Sequence, residues 1–130
     1  MGKAYRILLV EDDELDARLV KLALAELVGE EFQIQPAATL AEAESRLASG
    51  AFDAVILDLN LPDSRGMDTL GAVRKADPKT PVLVLTGIRE DGMAHEARSR
   101  GAMDCLVKGR MTGRQLLAAL RMSRMAHRKP

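Results

Sequence analysis

Four short apolar runs, each stopping abruptly at a polar side chain, limit what this chain can become. Ile7-Leu8-Leu9-Val10 runs into Glu11-Asp12-Asp13, and Ala54-Val55-Ile56-Leu57 into Asp58-Leu59-Asn60. Pro81-Val82-Leu83-Val84-Leu85 ends at Thr86, and Cys105-Leu106-Val107 at Lys108. A run that is apolar without alternation is expected to be buried on both faces, as a parallel strand is when crossover helices cover it. Longer amphipathic segments separate the runs, so the pattern predicts a three-layer, doubly wound α/β domain of five βα units with right-handed crossovers. In an open parallel sheet the strand ends lie side by side at one edge. Glu11, Asp12, Asp58, Thr86 and Lys108 are therefore expected to meet there, as an acidic pocket with one hydroxyl and one ammonium.

The first strand is read at about 6–10 and its helix at 14–28, with Leu15, Leu19, Leu22 and Leu27 on one side and Gly29 as its stop. Phe32-Gln33-Ile34-Gln35 alternates, which suits an edge strand. Thr39 is a good N-cap for a helix over 40–48, with Glu42 as capping-box partner and Gly50 past its end. Strands follow at 54–58, 82–86 and 104–108. Loops are expected at 60–66 and 87–92. The third helix begins near Asp68 and ends before Asp77-Pro78, the fourth ends at Gly101, and the last runs from near Thr112 toward His127. With 130 residues and no internal repeat or linker, 1–130 is read as one domain. Residues 121–130, with Met122 and Met125, are read as a helical extension toward an absent partner or output domain.

Lys+Arg and Asp+Glu both number 19, so the overall charge asks for neither nucleic acid nor an anionic membrane. A lone cysteine, Cys105, allows no intramolecular disulfide and no thiolate metal site, which fits a reducing, cytoplasmic setting. No 18-residue apolar stretch is present; Met1-Gly2-Lys3-Ala4 lacks a secretory core, and Arg6 breaks a myristoylation motif. A soluble chain is expected.

Glu11, Asp12 and Asp58 placed together would repel one another and persist only with a compensating cation or protonation. Mg²⁺ suits such a set, because it prefers hard oxygen ligands and takes one or two carboxylates beside waters and a phosphate. A carboxylate can also attack phosphorus to form an aspartyl phosphate. Lys108 would then pair with the phosphate as a point charge and Thr86 would donate a hydroxyl, a constellation suited to phosphoryl transfer.

The run Leu9-Val10-Glu11-Asp12-Asp13, the block Leu57-Asp58-Leu59-Asn60-Leu61-Pro62-Asp63-Ser64-Arg65-Gly66, the turn Leu85-Thr86-Gly87 and the run Gly101-Ala102-Met103-Asp104-Cys105-Leu106-Val107-Lys108 resemble the receiver domain of two-component response regulators. The blocks span nearly the whole chain in the family's order. The resemblance implies a flavodoxin-like fold with a five-stranded parallel sheet of order 2-1-3-4-5. It implies Asp58 as phosphoacceptor, charged from a phosphohistidine on a sensor histidine kinase or histidine phosphotransfer protein. Asp12 would bind Mg²⁺ directly and Glu11 through water, with an Asp58 oxygen and the Asn60 backbone carbonyl completing the protein's share. Thr86 and Lys108 would hold the phosphoryl oxygens, and Gly87 would leave room for the group. Output is expected through a downstream effector protein or a C-terminal output domain, on the surface of helix four, strand five and helix five. A homodimer through the last helix, with Leu116, Leu117, Leu120 and Met125, is left open.

Two positions depart from the family pattern. Cys105 stands three before the lysine, where receivers carry an aromatic ring that turns inward on activation; a small thiol cannot sweep that volume. Gly109 follows Lys108 where most receivers have proline, often with a cis bond, so the loop is expected to differ in geometry or mobility. Asp13, Glu14, Asp16 and Asp63 read as solvated turn residues, His95 and His127 as solvated helix residues, and Cys105 as small packing material. Two other functions share these residues. A phosphorylation-independent adaptor or dimerisation module would not use the acids, and a Mg²⁺-dependent aspartyl-phosphate phosphatase would want a second acid where Asn60 stands.

Overall fold

A computed structural model describes residues 4–27, 29–87 and 92–128, with side chains through Met122. The apolar runs become strands. β1 is Ala4–Val10, β2 Glu31–Ala37 and β3 Ala54–Asp58; two-residue strands β4 (Asn60–Leu61) and β5 (Ser64–Arg65) form a small hairpin, and β6 (Val82–Thr86) and β7 (Asp104–Val107) follow. The helices are α1 Glu14–Ala25, α2 Leu40–Ser49, α3 Met67–Ala76, α4 Met93–Ser99 and α5 Gly113–Arg128. The main sheet has order β2-β1-β3-β6-β7, all pairs parallel. That is the expected 2-1-3-4-5 order once the hairpin is set aside.

Every residue of β3 and β6 is buried, because helices cover both faces of these strands. Alternate side chains divide between two cores. Leu8, Val10, Val55, Leu57, Val82 and Val84 pack with Ala43 and Leu47 of α2, Leu70 and Val73 of α3, and Ala97 of α4. Ile7, Leu9, Ala54, Ile56, Leu83 and Leu85 pack with Val20 and Leu24 of α1 and with Leu116, Ala119 and Leu120 of α5. Each fully buried leucine or isoleucine stabilises by about 1.5–3 kcal/mol relative to an exposed one. β2 pairs with β1 alone and alternates in burial, as its edge position requires.

α1 corrects the sequence reading. Its last helical residue is Ala25, short of 28, and Val28 lies outside the described residues. Leu15, Leu19 and Leu22 are 63, 43 and 53% exposed, whereas Val20 and Leu24 are buried and Ala17, Ala23 and Leu27 pack beside them. At about 100° per residue, Leu15, Leu19 and Leu22 lie roughly opposite the face that carries Ala17, Val20 and Leu24. The helix is apolar on two sides, and the smaller residues face the sheet.

The caps follow local chemistry. Thr39 Oγ1 accepts from the Glu42 N–H at 3.0 Å, while Glu42 Oε1 accepts from the Ala38 N–H at 2.7 Å, one residue before the usual capping-box donor. Thr112 and Gln115 make the reciprocal pair that starts α5. The same end of α5 lies hard against α1. A methyl group added at Gly113 would sit 2.6 Å from the Ala23 carbonyl oxygen and 3.3 Å from Leu27 Cδ2. Gly113→Ala is therefore expected to destabilise the fold by about 1–3 kcal/mol through overpacking, although alanine is the better helix former. Thermal unfolding checks this: a raised melting temperature would mean that the two helices do not approach so closely.

Met122 is 61% exposed, and the Met125 and His127 side chains lie outside the described residues, as does most of the 87–92 loop. No described helix is long and apolar enough to cross a membrane.

Candidate functional site

Strand register brings the predicted residues to one edge. Val10 pairs with Leu57, Asp58 with Leu85, and Thr86 with Val107, so the next residues along these strands emerge together at their C-terminal ends. The Glu11 N–H donates to the Ala37 carbonyl at 2.9 Å and the Lys108 N–H to the Thr86 carbonyl at 2.7 Å, extending the pairing past the strand ends. Glu11, Asp58 and Thr86 are buried; Asp12 is exposed.

Lys108 is the hub. Its Nζ lies 2.6 Å from Glu11 Oε1, 2.9 Å from Asp16 Oδ2 and 3.0 Å from Asp58 Oδ2. Burial works against the ammonium charge, and its pairing with the carboxylates of Glu11, Asp16 and Asp58 outweighs that, raising Lys108 above the ordinary lysine range. Glu11 is held in the opposite balance. Burial, with Asp58 alongside, pushes its carboxyl up to about 7 although Lys108 and the Asp13 N–H pull it down.

Glu11, Asp12 and Asp58 each offer a carboxylate oxygen, and those oxygens lie within 4.8 Å of one another. Glu11 Oε1 is fully buried and, despite its ion pair, has no aligned hydrogen-bond donor among the described residues. A hard-oxygen donor set with an unsatisfied buried oxygen fits a small divalent cation such as Mg²⁺.

The segment after Asp58 is fixed in place. Asp58 Oδ1 accepts from the Asn60 N–H at 3.1 Å. The Leu59 carbonyl accepts from the Gly66 N–H at 2.8 Å and from Thr69 Oγ1 at 3.0 Å, and Thr69, wholly buried, also meets Ser64 Oγ at 2.7 Å. Asp63 binds the N–H groups of Leu40 and Ala41 at 2.8 and 3.0 Å, and those bonds lower its carboxyl below the usual range. The side chain is exposed in a turn, as the sequence suggested, but it also ties the loop to the N-terminus of α2, a role that reading lacked.

Two more of the discounted acids have partners. Asp13 caps α1 by accepting from the Asp16 N–H at 2.9 Å. Asp16 itself reaches Lys108, 92 residues away in sequence. Its signal was positional: it sits in the first turn of the helix that leaves the acidic edge. Glu14 and His95 are exposed, as expected.

Thr86 closes β6 at 8% exposure, and beyond it Gly87 is exposed, with open space where a side chain would be. Cys105 is partly buried against the core on the α2 and α3 side, and burial, with Asp104 nearby, pushes its thiol up. Gly109 takes φ +79°, which a proline, fixed near −65°, cannot adopt. Among the described residues no cis peptide bond occurs.

Comparison with known proteins agrees with this geometry. Residues 7–121 match the model of the response regulator receiver domain family. The swarming motility regulation protein RssB of Serratia marcescens is 39% identical over 102 residues, 78% of this chain and 45% of that protein. The response regulator protein FleR of Pseudomonas aeruginosa is 40% identical over 108 residues, 81% of this chain and 22% of that protein. The chain thus spans less than half the length of these curated relatives. Among solved structures, a response regulator receiver domain protein from Clostridium thermocellum superposes with TM-score 0.77 at 28% identity, covering 93% of this chain and 94% of the other. The signal receiver domain of an HD domain-containing protein from Pseudomonas fluorescens gives 0.81 at 26% identity, covering 98 and 91%.

Proposed function

This chain belongs to the response regulator receiver domain family, and on that premise we propose that it accepts a phosphoryl group on Asp58 and relays the event by a change of conformation. The observation that carries the reading is the Asp58 carboxylate at the end of a central strand, 3.0 Å from Lys108 Nζ and within metal-sharing distance of Glu11 and Asp12. An Asp58 oxygen attacks phosphorus and forms the O–P bond. The bond from phosphorus to the donor breaks, and its electron pair leaves with acetate from acetyl phosphate, or with imidazole, which takes up a proton, from a phosphohistidine.

Glu11, Asp12, Asp58 and the Asn60 carbonyl would hold Mg²⁺, which supplies positive charge to the phosphoryl oxygens. Lys108 neutralises a further oxygen and Thr86 donates its hydroxyl to another. Gly87 leaves the approach open. The donor is read as a sensor histidine kinase or histidine phosphotransfer protein in the cytoplasm, and the output as protein contact or an attached domain. No turnover of an external substrate is expected beyond loss of the phosphoryl group to water.

Residues 1–130 act as one receiver in this reading, with 121–130 directed toward a partner. Cys105 and Gly109 favour a second reading, an adaptor that dispenses with phosphorylation, because the ring and the proline of the usual relay are missing. One experiment separates them. With Mg²⁺ and acetyl phosphate the intact protein should gain one phosphoryl mass, and chelation of Mg²⁺ should prevent it. No gain in the wild type supports the adaptor; a gain that survives Asp58→Ala removes Asp58 as acceptor.

A further inference from the structure

We propose that Asp16 occupies the Lys108 proton that an incoming phosphoryl oxygen must take, so that it restrains phosphorylation in the resting protein and is displaced when the group arrives. The proposal rests on the receiver reading of Asp58. An ammonium has three protons to donate, and here three carboxylates stand around Nζ, at 2.6 Å for Glu11, 2.9 Å for Asp16 and 3.0 Å for Asp58. Lys108 donates aligned hydrogen bonds to Asp16 and Asp58, and the Glu11 oxygen stands against the remaining side of the ammonium, so a phosphoryl oxygen reaches Nζ closely only where one carboxylate lets go.

Burial decides which. The side chains of Glu11 and Asp58 are 2 and 8% exposed, whereas that of Asp16 is 31% exposed and can be solvated where it stands. Asp16 also lies outside the carboxylate group that can share a cation, so metal binding gives it no replacement partner and no reason to stay. Its backbone is held independently: the Asp16 N–H binds Asp13 Oδ1 at the α1 N-cap, so the side chain can swing away without unwinding the helix. Releasing it costs one partly exposed ion pair. The exchange leaves a phosphorylated Asp58 bound to Lys108 and a free carboxylate on the first turn of α1.

The alternative is that Asp16 positions Lys108 for the reaction, and the two readings predict opposite signs. If Asp16 competes, Asp16→Ala raises the rate constant for phosphorylation by acetyl phosphate at limiting donor about threefold to tenfold, and Asp16→Asn, which keeps an acceptor without the charge, gives an intermediate rise. Glu14→Ala removes an exposed acid from the same turn and controls for net charge; it should leave the rate unchanged. If Asp16 positions the lysine, both Asp16 variants slow the reaction.

A second measurement does not depend on rates. In the wild type saturated with Mg²⁺ and beryllofluoride, a phosphoryl mimic, the Asp16 carboxyl ¹³C and Lys108 ammonium ¹⁵N resonances should both move, and the cross-hydrogen-bond signature between them should vanish. Unmoved resonances, or variants at or below the wild-type rate, overturn the role given to Asp16 while leaving Asp58 as acceptor. A wild type that takes no phosphoryl group overturns both.

Discussion

Lys108→Met is expected to lower phosphoryl incorporation from acetyl phosphate about 10²–10³-fold and, in the absence of metal, to destabilise the fold by about 2–4 kcal/mol. Methionine keeps the length of the stem and removes the ammonium. Three carboxylates then face one another without the cation that pairs with all of them, because among the described residues Lys108 is the one ammonium that Glu11, Asp16 and Asp58 share. The reaction suffers separately, since the charge that would meet the phosphoryl oxygens is gone. The two losses can be separated by adding Mg²⁺. A cation held by Glu11, Asp12 and Asp58 should recover most of the stability and little of the rate. Urea unfolding with and without Mg²⁺, alongside mass-resolved phosphorylation, checks both. A variant that reacts at the wild-type rate would remove Lys108 from the site.

Glu11→Gln should change stability in the opposite direction. The Glu11 carboxyl is raised from about 4.5 in the unfolded chain to about 7 in the fold, and burial is the main cause. A raised carboxyl means that the folded protein favours its protonated form. The stability this contributes is complete below about pH 4.5 and is lost as pH rises through about 7. Glutamine, always neutral, escapes that loss. In the absence of metal the variant should therefore exceed the wild type at pH 8, by at most about 3 kcal/mol, and match it near pH 4.5. Other titrating groups affect both proteins alike, so the difference between their unfolding curves is what is read. Mg²⁺ should bind the variant more weakly, reversing the order of stability at saturating metal. A variant less stable than the wild type at pH 8 without metal would show that the Lys108 pair outweighs the burial of Glu11.

The sign of that difference shows what the acidic edge does for the protein. Folding brings together charges that disfavour it, and the gain is a place where a cation and a phosphate can be held. Local consistency between sequence and fold fails at such sites first.

What the sequence revealed followed the same division. β3 and β6 are apolar without interruption because both faces are covered, so their position and type could be read directly, and the parallel order then brought their polar ends together. α1 misled because leucines lie on the side facing solvent, and size alone does not say which of two apolar faces meets the sheet. The β4–β5 hairpin, with strands of two residues, is too short to leave a period. The roles of Asp63 and Asp16 were missed for a different reason. Their partners, the α2 N-terminus and Lys108, are 22–23 and 92 residues distant in sequence, and no local pattern marks such a contact.

The central claim is that Asp58 alone carries the phosphoryl group. Protein treated with Mg²⁺ and acetyl phosphate, then reduced with borohydride, would have its aspartyl phosphate converted to homoserine, and peptide sequencing by mass spectrometry locates the change. Homoserine at position 58, absent without Mg²⁺, is the expected result; homoserine at any other position, or phosphate retained on a different residue, would contradict it.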